Sequence, residues 1–145
     1  MIKKIVKIEH NTVADDTVSL SWFDKTKPNL ASSSEKGVSF VVRADIKHLH
    51  ENDVFVAEDG YKIAVKWLMD DVFILNFKNA LDFARCAYEV GNRHLSICIE
   101  DMQITILAYS TAEGEIAADF AKNPNVTVSQ KNAYFKPNTK AHHEH

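Results

Sequence analysis

The chain of 145 residues sets 17 Lys and Arg against 20 Asp and Glu, a formal charge of -3 at pH 7. That balance excludes the basic stripe of a nucleic-acid binder, and no stretch approaches the ~20 apolar residues of a membrane span. At 46% hydrophobic residues the chain can pack one domain or two small ones.

The N-terminus, Met1-Ile2-Lys3-Lys4-Ile5-Val6-Lys7-Ile8, alternates charged and apolar residues and lacks the long apolar run of a signal peptide. Two cysteines, Cys86 and Cys98, make no disulfide framework and match no metal-ligand spacing. Both read as inert, mostly buried thiols, and the expected location is cytoplasmic.

Residues 1–70 look all-β. Ile2 to Ile8 gives a first strand, and Val18, Leu20 and Trp22 alternate with Thr17, Ser19 and Ser21 to give a second. Thr26-Lys27-Pro28-Asn29 and Ser32 to Gly37 read as loops, and Val38, Phe40 and Val42 as a third strand. Val54-Phe55-Val56 and Ile63-Ala64-Val65 flank Asp59-Gly60, a two-residue hairpin signal. Five short strands without a helix predict a small sandwich or half-barrel. His10 beside Asn11 reads as loop, and His48 and His50 as a solvated turn or an adventitious surface site.

From Asp71 the rhythm changes. Val72-Phe73-Ile74-Leu75 predicts a strand buried on both faces. Ala80, Phe83, Ala84, Ala87 and Val90 share one face of a helix, with Asp82, Arg85 and Glu89 on the wet side. Gly91 is the expected left-handed residue at its end. Asn92, Arg93 and His94 then form a tight connection into a strand over Leu95, Ile97 and Ile99. His94 is thus held at a helix-to-strand corner, where a solvent-reachable imidazole suits a metal. The competing reading is a histidine that only complements the negative end of the helix dipole.

Glu100-Asp101-Met102 turns the chain into Ile104 to Leu107, and Ser110 with Glu113 predicts a capping box for a second helix ending before Pro124. Val126-Thr127-Val128 is the last strand. Over 71–130 the order is strand-helix-strand-strand-helix-strand, a ferredoxin-like plan. Residues 131–145 read as a flexible tail ending in His142-His143-Glu144-His145, a chelating composition unless it is an appended tag. The fold class expected is therefore α+β: a β-rich N-terminal domain, a ferredoxin-like domain and a His-bearing tail.

Ala87-Tyr88-Glu89-Val90-Gly91-Asn92-Arg93-His94 resembles the signature segment of the UreE urease accessory proteins, the nickel metallochaperones of urease maturation. Leu49 to Val56 with the following Asp59-Gly60, and Phe135-Lys136-Pro137 before a His-bearing end, are similar to further parts of that family. Asn52 stands where the family usually carries Gly, and Lys27-Pro28-Asn29-Leu30 replaces an Arg-rich stretch.

The resemblance implies a homodimer joined through the C-terminal domains, with His94 of each subunit sharing one Ni2+, and a β-rich domain that makes partner contacts. It also implies delivery to the urease accessory GTPase (UreG) and the urease apoprotein complex. Independently, a two-fold axis turns one histidine into two facing ligands, and imidazole suits Ni2+, Zn2+ and Cu2+ alike. His142, His143 or His145 could complete the coordination, since ten flexible residues from Phe135 reach ~17 Å root-mean-square.

No phosphate loop, nucleophile elbow or HExxH pattern marks an enzyme. The alternative is a ferredoxin-like binding module for a protein or small ligand with only adventitious metal binding. An acylphosphatase-like enzyme would need an Arg-bearing anion loop after Leu75, where the sequence has none.

Overall fold

A computed structural model describes residues 1–26, 29–42, 46 and 49–138. His48 and the tail histidines His142, His143 and His145 lie outside the described residues. The described residues are α+β and form two sheets and two α-helices. The chain divides into two compact units, Met1–Leu68 and Met69–His145.

The first unit holds β1 (Lys3–Glu9), β2 (Asp16–Leu20), β3 (Leu30–Ser33), β4 (Ser39–Val42), β5 (Val54–Ala57) and β6 (Lys62–Trp67), with a short 3-10 helix at Phe23–Thr26. They form one six-stranded sheet in the order β2-β6-β5-β1-β4-β3. Two of its pairings, β1 with β4 and β2 with β6, are parallel. Asp16, Val18 and Leu20 alternate inward along β2, and all four residues of β5 are buried. Phe40 and Phe55 meet at 5.8 Å between ring centroids, tilted by 50°, in the core, where each fully buried ring contributes about 2–3 kcal/mol.

Two expectations change here. Ser32 and Ser33 are strand rather than loop, because they pair with Phe40 and Ser39 of β4. The Asp59-Gly60 hairpin closes over a longer loop than two residues: the Ala57 N–H bonds the Tyr61 carbonyl, and the Gly60 N–H bonds back to Ala57. Gly60 takes φ 89, the left-handed value such a turn demands. Asn52 takes φ 71, so the residue standing in for the family's Gly still adopts a conformation that Asn tolerates.

The second unit runs β7 (Asp70–Phe77), α1 (Ala80–Asn92), β8 (Cys98–Glu100), β9 (Gln103–Leu107), α2 (Thr111–Ala121) and β10 (Val126–Ala133). Its sheet has the order β10-β7-β9-β8, and every pairing is antiparallel. Phe77 meets Phe83 of α1 edge-on at 5.6 Å and Phe120 of α2 at 6.1 Å, which ties both helices to the sheet. The capping box is present: Ser110 Oγ accepts from the Glu113 N–H, and Glu113 Oε1 accepts from the Ser110 N–H. Among the described residues no helix is long and apolar enough to cross a membrane.

The buried face of α1 differs from the expected one. Cys86, Val90 and Asp82 are buried, with Phe83 and Ala87 partly so, while Ala80 and Ala84 are exposed. Asp82 is drawn in by capping chemistry: its N–H bonds Asn79 Oδ1, and its carboxylate accepts from Asn79 Nδ2. Residues Lys131 to Ala133 belong to β10 rather than to a tail, since they continue the ladder opposite Val72, Asp71 and Asp70 of β7.

Candidate metal centre

The His94 corner is built by the end of α1. The helix runs through Gly91 to Asn92, and Arg93 is its C-cap, with φ -88 and ψ 4. The left-handed residue is then His94 itself, at φ 58, and not Gly91. The His94 N–H bonds the Gly91 carbonyl at 3.0 Å, and the Leu95 N–H bonds the Val90 carbonyl at 3.2 Å. This paired closure is a Schellman motif, in which a helix-end residue and the residue two beyond the cap meet in an apolar contact. Val90 and Leu95 both belong to the second core, so Leu95 must fold back onto Val90. That requirement puts the left-handed turn immediately before Leu95, one position where the sequence offers no glycine.

A residue with a Cβ in this conformation costs about 1 kcal/mol relative to glycine. Histidine is one of the few residues enriched there. Its imidazole is exposed, and among the described residues no side chain bonds it. The carbonyls at the end of α1 supply negative potential at the corner, which favours a cation.

Arg93 fixes the corner from the side. Its Nε–H donates to Glu89 Oε1 at 3.2 Å and its Nη1–H to Glu115 Oε1 at 2.9 Å, tying the last turn of α1 to α2. The hydrogen bonds it donates to Glu115 and then Glu89 raise the guanidinium pKa further, so Arg93 stays charged and cannot itself ligate.

The thiols are poor donors. Burial pushes Cys86 up to about 12, with Glu89 adding to the shift, and burial beside Glu100 raises Cys98 as well. Among the described residues, no group of three or more His, Cys, Asp or Glu side chains converges to hold a metal. Within the described part of the second unit, His94 presents an exposed imidazole that no described side chain bonds.

The histidines of the first unit are placed differently. His10 Nδ1 lies 2.7 Å from Asp53 Oδ1, and His50 Nδ1 lies 3.8 Å from Asp53 Oδ2. Asp53 is 5% exposed and also accepts the His50 backbone N–H at 2.9 Å. Sequence reasoning missed this hub because His10 and Asp53 lie 43 positions apart. It missed the His94 turn too, although the five-residue step from Val90 to Leu95 was a signal for it.

Residues 70–145 match the family model described as UreE urease accessory protein, C-terminal domain. The chain is 47% identical over 145 residues to a protein of Aliarcobacter butzleri (strain RM4018) named Urease accessory protein UreE, covering all of this chain and 97% of the relative. Proteins of the same name from Actinobacillus pleuropneumoniae and Burkholderia orbicola (strain AU 1054) are 29% and 27% identical. The first alignment covers 63% of this chain and 50% of that relative, the second 97% and 69%. These relatives carry the name of an accessory protein and not of an enzyme. A left-handed, outward-facing histidine at the end of α1, a family model spanning that segment and a full-length relative agree: the chain belongs to the UreE family of urease accessory proteins.

Proposed function

We propose that this protein is a nickel metallochaperone that binds Ni2+ at a dimer interface and delivers it for assembly of the urease active site. Two copies of His94, one from each subunit, would hold the ion. The observation that carries this reading is the His94 turn, in which an imidazole that no described side chain bonds is carried on a residue at φ 58, where glycine would be less strained. Backbone strain retained at one exposed ligand-bearing residue is a mark of function rather than packing.

A single imidazole holds a divalent ion weakly, so a second donor set is needed, and a two-fold axis supplies an identical one. Leu81 and Tyr88 leave apolar surface on α1, 61% and 70% exposed, as a partner-facing helix would. The strand order β10-β7-β9-β8 with a helix after the first and third strands of the unit supports a ferredoxin-like reading of the dimerisation domain, residues 71–130. The single sheet of the first unit suits a half-barrel that makes partner contacts. His142, His143 and His145 would add exchangeable ligands. Delivery would run to the urease accessory GTPase and the urease apoprotein, in the cytoplasm. Zn2+ and Cu2+ share these donors, so preference for Ni2+ would rest on geometry or supply.

The test is calorimetric titration with nickel, with mass measured alongside. One tight ion per dimer is expected, and His94→Ala should weaken it about a hundredfold, the upper end of what even supporting residues cost at metal sites. Unchanged tight binding in His94→Ala would remove His94 from the site.

A further inference from the structure

We propose that Glu115 of α2 is a positioning residue for the His94 imidazole, acting through Arg93. The inference rests on the metallochaperone reading above and adds to it a residue outside the signature segment around His94.

The end of α1 is the weak point of the corner. Helix termini leave their last carbonyls without intrahelical partners and fray first. Here the turn beyond the cap is also strained, with His94 at φ 58. Unwinding the last turn would relieve that strain and release the imidazole from its set direction. Two arrangements oppose this. On the core side, Val90 of α1 is fully buried in the same apolar cluster as Ile116 of α2. On the outer side the Arg93 guanidinium spans the two helices, donating from Nε to Glu89 Oε1 at 3.2 Å and from Nη1 to Glu115 Oε1 at 2.9 Å.

The two acceptors are not equivalent. Glu89 lies four residues before Arg93 on the same helix, so it unwinds with the turn it would have to hold. Glu115 stands on separate ground. α2 starts at the Ser110–Glu113 capping box, and Ile116 and Ala117, next to Glu115, are buried at 2% and 4% exposure. The bond to Glu115 therefore fastens the residue before His94 to an element held independently of α1. Beside this tie, an open groove of about 420 Å3 runs along Ala84, Arg85, Tyr88 and Glu89 of α1 and Asp119 and Phe120 of α2. Packing leaves that flank of α1 open, and the Arg93–Glu115 bond closes it at the His94 end.

Arg93 and Glu115 are 35% and 61% exposed, and an exposed ion pair is worth at most about fivefold in an equilibrium constant. An ion shared by His94 of two subunits meets the loosened corner twice, so the loss rises to at most about 25-fold. A rival account is purely electrostatic: Glu115 neutralises a cation that would otherwise repel Ni2+. The two accounts differ in sign at Arg93, since removing its charge would then tighten nickel, whereas removing its bonds would loosen the corner.

The experiment is competitive nickel titration against a chelator on the full chain. Glu115→Ala should weaken nickel by about five- to 25-fold. Glu115→Gln keeps an acceptor oxygen for the Arg93 Nη1–H without the charge and should recover most of that loss. Arg93→Gln should weaken nickel as Glu115→Ala does, and combining the two should add nothing, as for one shared bond. Amide exchange at His94 and Leu95, whose N–H groups close the turn onto Gly91 and Val90, should speed up in Glu115→Ala, while the amides of β9 keep their protection. Tighter nickel in Arg93→Gln, or a Glu115→Gln as weak as Glu115→Ala, would hand the effect to charge and overturn the positioning role. Faster exchange throughout β9 would make Glu115 merely structural. His94→Ala runs alongside. If it binds nickel as the wild type does, the metallochaperone reading fails and the role of Glu115 with it. If it loses nickel while Glu115→Ala does not, Glu115 alone is refuted.

Discussion

The histidines of the two units answer to different masters. In the first unit His10 and His50 face one buried carboxylate, Asp53, which joins the end of β1 to the loop before β5. In the second, His94 has an imidazole that no described side chain engages, on a backbone turn that glycine would adopt more easily. The first arrangement gains stability from its imidazoles. The second gives stability up to keep one imidazole open. An exchangeable ligand has to be of the second kind, since an imidazole already bonded must break that bond before it can take an ion.

His94→Gly separates the two costs in one variant and should have the largest effect. Nickel affinity should fall about a hundredfold, as for any loss of the imidazole. At the same time the second unit should become more stable by about 1 kcal/mol, because glycine removes the Cβ strain at the left-handed position. Thermal unfolding by circular dichroism, beside a nickel titration, reads both. A variant that lost nickel and also lost stability would mean that His94 serves the fold, and the contrast with His10 would collapse.

Asp53→Ala is the converse test. It leaves the His50 N–H without its acceptor and both imidazoles without their carboxylate, which should cost the first unit about 1–3 kcal/mol. Both tryptophans, Trp22 and Trp67, lie in that unit, so denaturation followed by tryptophan fluorescence reports on it directly. Nickel affinity should stay unchanged. A weaker nickel site in Asp53→Ala would draw the first-unit histidines into metal binding after all.

What could be read from the sequence divides along the same line. Features closed within a few residues were legible: Ser110 with Glu113 capping α2, the apolar run of β7, and a histidine at the corner after α1. Features that depend on a distant partner were not. Ser32 and Ser33 look like loop until β4 pairs with them, and the contact of His10 with Asp53 spans 43 positions. Gly91 was the natural helix stop on local grounds. The fold overrode it because Leu95 must return to Val90, which carries the left-handed conformation forward to His94. The bonds between the Asn138 carboxamide and the Ile99 backbone, 39 positions apart, are a further case.

The carboxylates of the first unit also predict a pH effect of smaller size. Burial alone would raise Asp16, but hydrogen bonds from Ser34, Tyr61, Thr17 and Lys36 outweigh it and hold the carboxyl below its ordinary 3.8. A group with a lowered folded pKa contributes stability above the unfolded value and loses it as pH falls through the folded one. The first unit of the wild-type protein should therefore lose stability steeply below pH 4, and Asp16→Asn should start lower but fall less over that window. Tryptophan-monitored denaturation at pH 6, 4 and 3 gives the slopes. Parallel slopes in the two proteins would remove Asp16 as the source.

The smallest effect expected is a near-absence, and it bears on whether the open imidazole is the sole strong donor of the second unit. Cys98 is only partly buried and follows His94 by four residues, so proximity makes it the obvious rival ligand. Its thiol is pushed up by burial and by Glu100, and a metal must displace a proton held more tightly than usual to bind it. Cys98→Ser should shift nickel affinity by less than about twofold at pH 7.5, while alkylation of the wild-type protein should label Cys98 long before Cys86, whose thiol lies near 12 in the core. Nickel that protected Cys98 from alkylation, or a tenfold loss in Cys98→Ser, would make the corner a mixed nitrogen and sulfur site. The comparison between engaged and open histidines would then no longer explain how the ion is held, because a thiolate would hold it too firmly for easy release.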